Sequence, residues 1–185
     1  MSLWGNDIKP RNLTDAEKKE VFANTKGWVR EAGSILSGNG NTSADPEVLV
    51  AIGGLSANMG SANITELEFI TTAFDKSDGG TLQVRARFNE PVTVTGTPQL
   101  TVVNDSRANH TLSYASGSTT NELVFSLTIG AANSATNAGD VLSIGANAMS
   151  LNSGTIKDTG QSGTNATITN AASIGTAAGT ITVTA

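Results

Sequence analysis

The sequence predicts an all-β fold, a sandwich or barrel of short strands behind a charged N-terminal segment. Three observations carry this. Apolar and polar residues alternate over Thr81–Phe88 and again over Glu122–Ile129, the period of a half-buried strand. Further short strand-like runs follow, each bounded by Gly, Asn and Ser turns. From Asn63 onward no convincing ten-residue helical pattern interrupts them, which argues against an α/β fold.

The totals agree. The chain has 185 residues, with 38% hydrophobic and 4% aromatic content, and its small polar residues suit turn-rich β-structure. The net charge is −5, which disfavours nucleic acid as a partner, since phosphate binding needs a basic excess. There are no cysteines, so disulfides and thiolate metal sites are excluded. The N-terminus lacks the apolar core of a signal peptide, and no stretch reaches the length of a membrane span. The expectation is therefore a protein made in the cytoplasm without a classical export signal and without a membrane partner.

Charge divides the chain in two. Residues Met1–Gly60 hold 13 charged side chains and both tryptophans, whereas Thr111–Ala185 hold only Glu122, Asp140, Lys157 and Asp158. Residues 1–60 read as an arm and docking segment, and 61–185 as the β-body. Met1–Arg11 is an extended arm, broken by Gly5-Asn6 and Pro10. Thr14 and Glu17 have capping-box spacing, so a helix over Asp15–Phe22 is one reading and a strand over Glu20–Asn24 the other. Gly27–Arg30 reads as a strand. Glu47–Ile52 is a continuous apolar run expected to be buried, and Gly53–Ala62 a linker.

In the body, Ile64–Phe74 is a first strand, with Leu67 and Phe69 on one face and Glu66 and Glu68 on the other. Thr81–Phe88 is the second, expected to stop at Asn89-Glu90-Pro91 because proline removes a ladder donor. Its polar face, with Arg85 and Arg87, is expected to be wet. Pro98–Asn104, His110–Ala115 and Glu122–Ile129 follow. Val141–Leu151, Gly154–Lys157, Ala166–Thr169 and Thr180–Thr184 complete the set.

Three phrases resemble a bacterial and phage immunoglobulin-like repeat of the cadherin-like kind. They are Phe88-Asn89-Glu90-Pro91-Val92 with the Thr95–Leu100 turn, Leu112–Ser118 returning through Asn121–Phe125, and Leu151–Asp158 leading to Ala166-Thr167-Ile168. The resemblance covers about residues 63–168 and implies an immunoglobulin-like β-sandwich. The chain departs from the pattern in having one copy and in its preceding segment. That segment, with Ser2–Asn6, Lys9-Pro10, Val21–Ala23 and Gly27–Val29, resembles the N-terminal region of structural proteins from tailed phages of marine bacteria.

Single residues yield little chemistry. His110 is the only histidine, expected to be solvated at a strand start. Glu66 and Glu68 lie side by side on one strand and do not flank a substrate, so they read as a solvated face rather than a glycosidase pair. Asp75–Gly79 lacks the acidic positions of a calcium loop. Trp4, Lys9, Arg11 and Trp28 are the candidate partner-binding residues. Trp4, in the arm, is the better anchor, and Trp28, on a strand, is the better core residue.

The two resemblances imply a non-enzymatic virion protein, first a capsid decoration or cement protein that docks through its N-terminal segment. The implied partners are the major capsid protein or other virion proteins, copies of itself on the lattice, and a weak host-surface glycan contact. No cofactor is implied. A tail, neck or fibre component is the alternative, and a secreted cell-surface or carbohydrate-binding module a further one.

Overall fold

A short N-terminal helix leads into two sheets. The computed structural model describes residues 13–24, 27–33, 41–43, 46–51, 61–160 and 163–185. Helix α1 (Asp15–Glu20) runs directly into strand β1 (Val21–Asn24). Both sequence readings of this stretch are therefore right in turn, with the change at Val21. Strands β2 (Gly27–Arg30) and β3 (Glu47–Ala51) complete an antiparallel sheet in the order β1-β2-β3. Its core is Val21, Ala23 and Trp28, with Leu13 and Leu49 packed against them.

The run at Glu47 was expected to be buried, but Val48 is 42% exposed. Strand β3 is the edge strand of this small sheet, where a side chain has a neighbouring strand on one side only among the described residues.

The body is built of β4 (Ile64–Phe69), β5 (Phe74–Asp75), β6 (Gly80–Thr95), β7 (Gln99–Asn104), β8 (His110–Ser116) and β9 (Thr120–Ile129). Strands β10 (Val141–Ser143), β11 (Met149–Ser150), β12 (Thr155–Asp158) and β13 (Thr180–Thr184) follow, with helix α2 (Ala172–Ala177) before the last. The hydrogen-bonded order is β12-β6-β9-β8-β7-β10-β13-β5, with β4 on β6 and β11 on β7. All these pairs are antiparallel except β13 with β5. The fold is all-β.

The inward positions of the alternating strands meet in one core. Leu82, Val84, Ala86 and Phe88 of β6 join Leu100, Val102, Leu112, Leu123, Phe125, Leu142, Ile156, Ile181 and Val183. Each fully buried side chain of this size contributes about 1.5–3 kcal/mol. Tyr114 packs edge-on against Phe125, ring centroids 6.2 Å apart, and its hydroxyl accepts the Ser118 N–H at 2.8 Å.

Several boundaries differ from expectation. The stretch Ile64–Phe74 divides into β4 and β5. Strand β6 does not stop before Pro91 but continues to Thr95. The ladder with β9 shifts register between Arg87 and Val92 and resumes with Val92 opposite Thr120, while on the other edge β4, paired as far as Phe88, gives way to β12, with Val92 opposite Asp158. The run Val141–Leu151 also divides, through a turn in which Asn147 has φ +50°. Ala166–Thr169 is not a strand; its neighbourhood makes only isolated bridges, Asn63 with Thr167 and Lys157 with Asn165. Helix α2 escapes sequence reading because ASIGTA offers one large apolar residue and no side-chain cap.

Candidate functional site

Strand alternation puts Glu66 and Glu68 of β4, and Arg85 and Arg87 of β6, on the face away from the core. Register then pairs opposite charges: Glu66 lies across from Arg87, Glu68 from Arg85, and Arg87 from Glu122 of β9. Arg87 Nη1 donates to Glu66 Oε2 at 2.8 Å and to Glu68 Oε2 at 3.1 Å, and Nε donates to Glu122 Oε2 at 3.3 Å. Arg85 Nη2 donates to Glu68 Oε2 at 2.7 Å.

Helix α1 lies over this face. A complete capping box starts it: Glu17 N–H donates to Thr14 Oγ1 at 3.3 Å, and Thr14 N–H donates to Glu17 Oε2 at 2.7 Å. The Thr14 amide and hydroxyl hold the Glu17 carboxyl below its usual range. Six residues are too few to make a stable helix alone, so α1 depends on what it covers. Lys18 Nζ reaches Glu66 Oε1 at 2.8 Å, Asp15 sits 3.3 Å from Arg85 and 3.7 Å from Arg87, and Lys19 lies 3.8 Å from Glu122. Asn121, buried at the start of β9, donates to the carbonyls of Lys18 and Val21, each at 3.3 Å.

The charges balance across the contact. Two arginines and three glutamates leave the body face one negative charge in excess, and Asp15, Lys18 and Lys19 bring one net positive charge. Burial alone would raise the Glu66 carboxyl, but hydrogen bonds from Lys18 and Arg87 outweigh it and hold the group below its usual range. Burial opposes the charge on Arg85, whose pKa is nonetheless raised by its bond to Glu68 and the nearby Glu122.

The wet face expected of β6 is therefore a covered one, with only 3% of Arg87 reaching solvent. Residues distant in sequence cover it, which no local pattern announces. Glu66 is paired with Lys18 and Arg87, and Glu68 with Arg85 and Arg87, and these pairs hold the face together.

Of the predicted partner-binding residues, Trp4, Lys9 and Arg11 lie outside the described residues. Trp28 is buried in the small core with Val21 and Ala23, the packing role favoured for it. His110 is a correction. It is 4% exposed rather than solvated, because it shares the inward phase of Leu112 on β8. It faces Asn104 Nδ2, which also donates to Asp140 Oδ2 at 2.9 Å, and Ser106 Oγ donates to Asp140 Oδ1. This network ties two loops together; the Ser106 hydroxyl is directed to Asp140, not to the imidazole. Asp75 accepts from the Ser77 and Asp78 amides and from Thr184 Oγ1, which pins the last strand.

No family model, curated protein or solved structure matches the chain. Among the described residues, no group of three or more His, Cys, Asp or Glu could hold a metal ion. No helix among them is long and apolar enough to cross a membrane. Helix α1 and the charged face of β4, β6 and β9 form a structural latch between two parts of one chain.

Proposed function

We propose that the chain is a non-enzymatic structural protein of a tailed-phage virion, a capsid decoration or cement protein. The N-terminal segment docks on the major capsid protein lattice, and an immunoglobulin-like body is displayed from it. The resemblance phrases support the body assignment by their positions. Phe88–Val92 is where β6 changes partner, Ser116–Ser118 is the turn tied by the Tyr114 hydroxyl, and Thr155–Asp158 is the strand that β6 acquires.

The observation that carries the functional reading is the division into two cores joined by a charged latch. A docking segment with its own packing can be fastened to a displayed body without merging the two. On a symmetric lattice, weak individual contacts multiply by avidity.

Copy number tests this. Quantitative mass spectrometry of purified particles should find the chain in lattice-repeat proportion to the shell protein, and a chain lacking Met1–Pro10 should fold yet bind particles more weakly. A few copies per particle would favour a tail, neck or fibre position. Recovery from the cell envelope instead of particles would overturn the reading, and undiminished binding by the truncated chain would remove the arm from it.

A further inference from the structure

Asn104 ends β7 and His110 begins β8, and the turn between them is closed by one side-chain amide. Asn104 Oδ1 accepts the Ser106 and Arg107 N–H groups, each at 3.0 Å. Its Nδ2 is thereby turned the other way, toward Asp140 Oδ2 at 2.9 Å and His110 Nε2 at 3.4 Å. All three side chains are buried. Two backbone donors on the oxygen and a carboxylate on the nitrogen agree on this orientation, so the amide cannot be reversed without losing all three bonds.

The orientation fixes the proton on the ring. An amide nitrogen only donates, so His110 Nε2 presents its lone pair and the neutral imidazole carries its hydrogen on Nδ1. Both ring nitrogens of an imidazolium are donors. Whichever way a protonated ring turns, it offers no acceptor to Asn104.

The carboxylate that would receive such a ring is already taken. Asp140 Oδ2 accepts from Asn104 and from the Asn137 N–H at 2.8 Å, and Oδ1 accepts from Ser106 Oγ. Of the other charged groups here, Arg107 Nη2 donates to Asn137 Oδ1 at 3.0 Å, and Asp105 Oδ1 accepts the Val141 N–H at 2.9 Å. Strands β7, β10 and β13 carry no charged side chain, and β8 none besides His110. On β9, Glu122 is engaged by Arg87 on the outer face. Asp140 is the charge that acts on the ring. Its loop also holds the last strand, since Val183 N–H donates to Asp140 O at 2.9 Å and Gly139 N–H to Val183 O at 2.8 Å.

We propose that His110, Asn104 and Asp140 form an acid-operated switch. With the ring neutral, Asn104 bridges it to Asp140 and the 104–107 turn is closed. With the ring protonated, the imidazolium takes Asp140 Oδ2 from Asn104, and the turn opens and parts from the 137–140 loop. Asn104 Oδ1 holds two amides of the turn, so the turn moves with the displaced side chain. Burial, opposed in part by Asp140, holds the ring pKa below 6.5, so the closed form persists through neutral pH and opening is confined to acid. The device does not depend on the virion assignment.

A single histidine makes the test direct. In the full nitrogen-15-labelled chain at pH 7.5, proton–nitrogen correlation spectra of the ring should show a bare nitrogen at Nε2 and a protonated one at Nδ1. On acidification, hydrogen exchange over 103–109 and 136–142, corrected for intrinsic rates, should rise in step with the ring titration. The rise should reach about tenfold per pH unit below 6.5, the factor that one linked proton gives, while β6 and β9 stay protected. His110→Gln supplies an acceptor that does not protonate and should keep both loops protected over this range. A proton on Nε2 at pH 7.5 would overturn the switch, a result that needs no variant to fold. So would a ring that titrates with no change at the two loops, a His110→Gln chain that keeps the wild-type response, or acceleration spread evenly over the body.

Discussion

Arg87 of β6 and Glu66 of β4 meet at 2.8 Å beneath helix α1, on the face of the sheet that its alternation marks as outward. Arg87 is almost wholly buried but its three glutamate partners are only partly so. Replacing Arg87 with Ala leaves those carboxylates crowded without their cation. Urea denaturation should show a loss of about 2–4 kcal/mol, near the lower end for a broken buried pair because the partners retain some water. A loss below about 1 kcal/mol would mean that the cluster is effectively solvated.

The N-terminal unit should loosen before the body does. Lys18→Ala removes one ion pair to Glu66, worth about 0.5–1 kcal/mol at this exposure, and Asn121→Ala removes the donor to the Lys18 and Val21 carbonyls. In the double variant, hydrogen exchange over α1 and β1 should accelerate while β7–β9 stays protected. Equal acceleration in both regions would show one cooperative unit instead of a latched pair.

Gly117, in the turn before β9, has φ +107°, and a Cβ there would collide with the Glu122 carbonyl oxygen. Gly117→Ala should cost more than about 2 kcal/mol, combining backbone strain with a clash against main chain. Gly139 has φ +91° with open space around it, so Gly139→Ala should cost only about 1 kcal/mol. Thermal unfolding of the two variants separates strain from clash.

Acid should weaken the body through His110. Burial holds its pKa below 6.5, opposed in part by Asp140. As pH falls below 6.5 the unfolded chain takes up the proton first, so stability present above 6.5 declines through the depressed folded value. Asp140, held below its usual range chiefly by Ser106 and then by Asn104, adds a further loss below pH 3.8. The melting temperature of His110→Gln should fall less than that of the wild type between pH 6.5 and 4.5. Parallel profiles would remove His110 from the acid response.

Much of the fold was legible because strand alternation is a local property. Leu82–Phe88 and Leu123–Ile129 announce one apolar face, and the core contains those residues with Leu127 at its margin. The capping box at Thr14 and Glu17 and the strand at Gly27–Arg30 were legible for the same reason. His110 was legible in principle, since it stands two residues from Leu112 and shares its phase.

The residues alone determined an all-β protein in two unlike parts, with Glu66, Glu68, Arg85 and Arg87 turned away from the core. Tertiary structure decided what became of that outward face. Register placed each arginine opposite a glutamate, and α1, some fifty residues earlier than β4, covered them. It also decided that Pro91 would mark the exchange of β4 for β12 on one edge of β6 instead of an end, and that Glu90 and Asp158 would both be buried. Periodicity reports which side of a strand a residue occupies; burial of a charge depends on which distant segment lies across that side, and that is a property of the assembled chain.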